Sequence, residues 1–254
     1  MRTATYSGPV RAAVLDPPPA ATSGAVPEVV CVHGLGSSHR YWRPFAQVLA
    51  PAAGVRVVAV DLVGFGSTVP GPRPAVLDVD GQARVLAAWL RARGGPPAMY
   101  VANSLGCQVV AALAVHAPEL VAPAVLTGPT VDPRNRSATA QALRLAADGV
   151  WERPSLAWRL GVDYWRCGPV RFAGSLRALL ADRIEERAPL WHAPVLVVRG
   201  RHDLIVPLRW ARELTARFPD ARLVELPAAG HTVNWTVPRS VAALTLDLLR
   251  RTTP

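Results

Sequence analysis

No lysine occurs anywhere in this 254-residue chain; all 28 basic residues are arginines. Schiff-base chemistry, lysine-anchored pyridoxal phosphate and a Walker A phosphate site each need a side-chain amine, so all three are excluded. Arginine stays charged and is a poor general base near neutrality. Cysteine is scarce as well, with Cys31, Cys107 and Cys167 alone. An odd count without C-x-x-C spacing is no disulfide framework. Cys31 and Cys107 lie in apolar runs and read as buried small hydrophobes, which fits a reducing, cytoplasmic setting. No apolar run reaches the roughly 18 residues that span a bilayer. Met1 to Val10 holds Tyr6, Ser7, Gly8 and Pro9 in place of an apolar signal core, so no secretory signal is expected. Charged residues are 18% of the chain and hydrophobic ones 50%, which excludes a disordered protein. The formal charge of +10 would suit nucleic acid. The arginines are scattered, however, with no block of like charges. Neither a nucleic-acid partner nor a membrane partner is expected.

What the chain does have is a rhythm of short apolar runs and longer amphipathic ones. Val26–Val32, Val55–Val60, Ala98–Ala102, Val121–Leu126, Pro194–Val198 and Ala221–Leu226 read as strands. Helices are expected over Tyr41–Ala50, Val76–Arg93, Leu105–His116, Leu208–Phe218 and Val237–Arg251, several of them ended by Gly or Pro. Continuous Val/Ile/Leu strands between helices indicate an α/β fold with a mainly parallel, doubly wound sheet covered on both faces. The rhythm breaks over 130–190, which reads as helices only, with Trp151, Trp158 and Trp165 at seven-residue spacing. This segment is taken as an inserted helical lid, and 1–129 with 191–254 as the core. The start of the chain, through Pro17-Pro18-Pro19, reads as a hairpin or an irregular lead-in to the sheet.

Three segments carry chemistry. The third strand runs into Val101-Ala102-Asn103-Ser104-Leu105-Gly106, and a helix follows at once. A serine at a sharp strand-to-helix turn is pushed into the cleft above the strand ends, with helix N–H groups behind it. A plain N-cap serine is the simpler reading of such a residue. The usual elbow is G-x-S-x-G; here Ala102 replaces the first glycine and Gly106 keeps the second. A base and an acid follow where open α/β sheets place their sites, past the strand ends. These are Asp203 in Arg199-Gly200-Arg201-His202-Asp203 and His231 in Gly230-His231. The order Ser…Asp…His is that of the α/β-hydrolases.

With these segments the chain resembles an α/β-hydrolase-fold protein of the lidded Ser-Asp-His type over nearly its whole length. His33-Gly34-Leu35-Gly36 after the first strand and Asp61-Leu62-Val63-Gly64-Phe65-Gly66-Ser67 after the second support it. The resemblance implies that Ser104 attacks an acyl carbonyl, that His231 takes its proton, and that Asp203 orients the imidazole. It implies an oxyanion hole from the backbone N–H groups of Leu35 and Leu105, and no metal or organic cofactor. The expected substrate is a mainly apolar small-molecule ester, lactone or thioester, cleaved through an acyl-enzyme on Ser104.

Alternatives accompany this reading. Some families with this fold place the acid after the fourth strand, where Asp132 stands; Asp132 could also cap the first lid helix. His39, His116 and His192 lack metal-ligand spacing, so no metal site is expected. The pairs Gly34/Gly36 and Gly64/Gly66 lack the third glycine of a dinucleotide fingerprint. Trp235, Trp151, Trp158 and Trp165 are candidates for an apolar substrate pocket. Arg166 and Arg171 could meet a substrate carboxylate. Trp235 lies four residues after His231, as in hydrolases that cleave carbon–carbon bonds, but Thr232 and Thr236 stand where those enzymes carry an aromatic and a glutamate. A lyase, cyclase or dehydratase on the same residues is the enzymatic rival, and a non-catalytic ligand receptor the rival of another class.

Overall fold

The computed structural model describes residues 2–4, 10–15, 27–68, 76–151 and 153–252, with backbone alone for 2–4 and Trp151. The Pro17-Pro18-Pro19 stretch lies outside the described residues. A hairpin of β1 (Arg2–Ala4) and β2 (Arg11–Leu15) opens the chain. Then follow β3 (Glu28–Val32), α1 (Arg43–Ala53), β4 (Arg56–Asp61), α2 (Val79–Arg93), β5 (Ala98–Asn103), α3 (Leu105–His116) and β6 (Val121–Thr127). Four helices come next: α4 (Ala138–Asp148), α5 (Pro154–Cys167), α6 (Pro169–Ala181) and α7 (Ile184–Arg187). The chain ends on β7 (Val195–Gly200), α8 (Leu208–Thr215), β8 (Ala221–Leu226), α9 (Val233–Thr236) and α10 (Pro238–Thr252).

The sheet has the order β1-β2-β4-β3-β5-β6-β7-β8; β2 runs antiparallel to β1 and β4, and the pairs from β4 through β8 are parallel. Strand side chains alternate between two faces, and each face builds its own core. Val30, Val32, Tyr100, Ala102 and Leu126 pack with α2 and α3. Val29, Cys31, Met99, Val101 and Val125 pack with α1 and α10. All six expected strands form, β8 with the expected bounds and the other five with end shifts of a residue or two. The expected last helix forms as α10, with Pro238 in its first helical position, and the short α9, which was not expected, precedes it.

Leu105 to Ala114 of α3 are buried without a break, and Gln108 is the one residue of that run with a polar side chain other than the Cys107 thiol. The helix lies so close to the sheet that a Cβ on Gly106 would stand 2.3 Å from the Val32 carbonyl oxygen. The glycine kept from the elbow motif therefore sets the distance between helix and strand.

Candidate active site

Ser104 is the one non-glycine residue with positive φ among the described residues, at φ 52° and ψ −118°. Such a backbone costs roughly 1–3 kcal/mol and persists only where its surroundings hold it. Here the Ser104 N–H donates to the Thr127 carbonyl (3.1 Å), and the Ser104 carbonyl accepts from Cys107 N–H (2.9 Å). The Ser104 side chain accepts no bond from the helix it precedes, so the simple N-cap role does not hold it there. Gly34 presses on the turn: a Cβ there would lie 3.2 Å from Ser104 Cβ. Small residues thus bring the loop after β3 against the serine.

His231 follows β8 and is buried. Its Nδ1 lies 2.9 Å from Asp203 Oδ2. The other Asp203 oxygen accepts the N–H groups of Ile205 (2.9 Å) and Val206 (2.8 Å). Both carboxylate oxygens are therefore committed, which fixes the ring plane of His231. Arg199 braces the same loop, donating to the carbonyls of Asp203 (3.1 Å) and Val206 (3.0 Å) and pairing with Glu225. Gly128, at φ 56°, makes room for the imidazole; a Cβ there would stand 2.8 Å from its ring.

Ser104 and His231 line one cavity, of about 820 Å³ with its open mouth included. Gly34 and Leu35 line it as well, and Leu105 opens α3 directly behind the serine. The far walls are apolar and come from the helical segment: Leu145, Leu160, Tyr164, Phe172, Leu176 and Leu179. Tyr164 and Phe172 meet edge-on at 5.2 Å and close over Gly36, where a Cβ would fall 2.5 Å from the Tyr164 ring. Burial pushes the Tyr164 hydroxyl up to about 12, so it stays protonated. Besides Ser104 and His231, polar side chains at Ser37, Asn103, Thr130, Gln141 and Thr232 interrupt the apolar lining. Among the described residues, Ser37 Oγ and Thr130 Oγ1 are buried and find no hydrogen-bond partner.

The glycine motifs after β3 and β4 do mechanical work. His33 is buried, its Nε2 accepts from Leu62 N–H (3.1 Å), and Nδ1 meets the Gly34 carbonyl (2.7 Å). Burial lowers its pKa, so the ring stays neutral and links two loops. Asp61 accepts from His39 N–H (2.6 Å) and Ser67 N–H (2.8 Å) and pairs with His39 Nδ1 (2.8 Å). Burial would raise the Asp61 carboxyl, but the His39 contacts outweigh it and hold the group below its ordinary value. Gly66 is needed because a Cβ would strike that carboxylate at 2.3 Å.

Other candidates fall elsewhere. Asp132 accepts from Arg209 (2.5 Å) and from Arg134 N–H (3.1 Å), and the cap of α4 is Ser137. The acid beside His231 is Asp203. Trp158 and Trp165 point away from the cavity, 74% and 84% exposed. The reason is that α5 carries two apolar stripes, and Leu156, Leu160, Tyr164 and Cys167 form the inner one. The Trp151 side chain lies outside the described residues. Trp235 stands one layer behind the cavity, stacked on Tyr41 at 6.3 Å; Tyr41 is the wall. Arg171 is buried against the Cys167 carbonyl (2.9 Å) and Arg166 is exposed, and neither lines the cavity. No group of three metal-ligating side chains occurs among the described residues. Cys31 and Cys107 are buried, and burial pushes both thiols up.

One residue escaped the sequence reading. Asp148, the last residue of α4, is 1% exposed. It accepts from Leu204 N–H (3.1 Å) and from His231 N–H (2.9 Å). No local motif marks it; only the folded chain brings it to these loops.

The model of the alpha/beta hydrolase family matches residues 29–244. The carbamate hydrolase RutD named in Klebsiella pneumoniae strain 342 is 30% identical over 86% of this chain and 89% of its own. An esterase from Thermogutta terrifontis superposes with a TM-score of 0.77 at 20% identity, over 96% of this chain and 95% of its own. The enol-lactonase of Burkholderia xenovorans LB400 superposes with a TM-score of 0.71 at 21% identity, over 98% and 100%. With the family match covering most of its length and the sheet, elbow and cavity described above, this chain belongs to the alpha/beta hydrolase family.

Proposed function

We propose that the protein is a serine hydrolase that cleaves an ester, lactone or thioester of a mainly apolar small molecule through an acyl-enzyme on Ser104. The observation that carries the reading is the strained turn of Ser104 in the same cavity as His231, with Asp203 on the far side of the ring. In this reading His231 Nε2 takes the Ser104 hydroxyl proton as Oγ attacks the acyl carbon. The carbonyl π electrons move onto oxygen, toward the N–H groups of Leu35 and Leu105. Collapse expels the alcohol or thiol, which receives the proton from His231, and water then repeats the cycle. Asp203 stabilises the imidazolium. Each oxyanion donor contributes about 3 kcal/mol in the transition state.

The segment 130–190 is read as a lid that roofs the acyl site, with 1–129 and 191–254 as the core. Its apolar inner face supports an acyl group without charge. The unpaired hydroxyls of Ser37 and Thr130 support one polar group on the substrate besides the scissile bond. The test is rapid-quench intact-mass spectrometry with p-nitrophenyl butyrate. A transient butyryl adduct on Ser104, formed as fast as the nitrophenol burst, is expected. Turnover with no adduct, retained in Ser104→Ala, would refute the acyl-enzyme and favour base chemistry by His231.

A further inference from the structure

We propose that Asp148 is a positioning residue for this reaction, through which lid helix α4 holds the loops of Asp203 and His231 in register and supplies a second negative charge beside the imidazole. The inference rests on the serine-hydrolase reading. Its geometry is a two-handed clamp. One carboxylate oxygen takes the N–H of Leu204, next to Asp203; the other takes the N–H of His231 itself. Asp203 joins the same two loops at side-chain level, through His231 Nδ1. Asp148 joins them at backbone level, from an element that belongs to the roof of the cavity. Lid docking and assembly of the acid–base pair are therefore one event.

The clamp needs an ionised carboxylate. Protonation turns one oxygen into a hydroxyl, which must place its own proton and is a much weaker acceptor for an N–H than a carboxylate oxygen. The charged groups that act on Asp148 are His231, which favours its ionised form, and Asp203, which opposes it. Burial dominates both and pushes the group up to about 6. It thus titrates where an imidazole does, and the two ionisations are linked. The acid limb of activity should carry two protons where a triad alone carries one.

The experiment is the rate of Ser104 modification by a fluorophosphonate probe between about pH 4.5 and 8, with circular dichroism at each pH to confirm folding. The full chain is used, as wild type, Asp148→Asn and Asp148→Glu. In the wild type the logarithm of the rate should climb with a slope well above one, approaching about two. Asp148→Asn should flatten the limb to about one and lower the plateau on the order of 10- to 100-fold. Asp148→Glu should restore the steep limb at least in part. A wild-type limb of slope one overturns the proposal even if the variants fail to fold. So does an Asp148→Asn protein with wild-type rate and slope. Both results leave the serine-hydrolase reading standing. A folded wild type that takes no label at any pH overturns that reading and this one together.

Discussion

Gly106 and Gly161 both sit inside helices of ordinary length, α3 and α5, yet a methyl group would meet opposite fates at the two sites. At Gly106 a Cβ would lie 2.3 Å from a strand carbonyl; at Gly161 nothing lies within 4 Å. The difference separates the two regions that make the cavity. The floor is set by backbone approaching backbone: Gly34 on the Ser104 turn, Gly106 on β3, and Gly200 on the loop of Gly230, where a Cβ would stand 2.1 Å from a carbonyl. The roof is set by side chains. It presents Leu160, Tyr164 and Phe172 inward and leaves Leu143, Val150, Trp158, Trp165 and Val170 exposed. Close backbone contact tolerates almost no displacement, which suits groups that must meet within hydrogen-bond reach. Side-chain contact tolerates adjustment, which suits a surface that adapts to the shape of a ligand. The roof is tied to the floor at a few polar points: Asp148 on the loops of Asp203 and His231, Asp163 accepting from Ser38 (2.7 Å), and Gln108 donating to the Leu179 carbonyl (3.0 Å).

If the floor is rigid in this sense, Gly106→Ala should be the most damaging small substitution. It should cost about 3 kcal/mol or more in urea unfolding, because backbone and not a flexible side chain must give way. A cost under about 1 kcal/mol would show that α3 can shift freely and would remove the contrast with the roof.

Asp148 links the regions and should reveal itself through stability as well as rate. Its carboxyl is raised to about 6 from 3.8, so the folded state binds more protons than the unfolded one between those values. Stability from this group is present below the unfolded value and falls as pH rises through the folded one. Relative to wild type, Asp148→Asn should therefore gain on the order of 2 kcal/mol between pH 4 and 7 in paired denaturation curves. A constant difference would mean that Asp148 does not ionise in that window.

Substitution within the roof should separate binding from chemistry. Tyr164→Ala opens the cavity above Gly36 without touching Ser104 or His231. It should raise KM for a medium-chain ester about tenfold and leave kcat within about threefold. A kcat loss of about a hundredfold would instead give the roof a role in chemistry. The smallest effect is expected from Gly161→Ala, a gain of about 0.5–1 kcal/mol from helix propensity with no change in activity.

The floor was more legible in the sequence than the roof, for the same physical reason. Strand periodicity, the Ser104 turn and the small residues around it are local patterns, because backbone geometry constrains the residues that adopt it. Ser104, His231 and Leu35, each marked by such a local pattern, line one cavity, and Asp203 meets His231. The roof misled. Trp158 and Trp165 form a true helical stripe, but periodicity gives a face and not its direction, and α5 has a second apolar stripe of Leu156, Leu160, Tyr164 and Cys167. Asp148 had no signature at all. It stands 55 residues before Asp203 and 83 before His231, and only tertiary packing assigns it a partner.

The most direct test of the account is labelling of the folded, purified protein with a fluorophosphonate, followed by peptide mass spectrometry. The account predicts one stoichiometric adduct, on Ser104, absent from Ser104→Ala and lost in His231→Ala. No adduct on Ser104, or one that forms equally fast without His231, would contradict it.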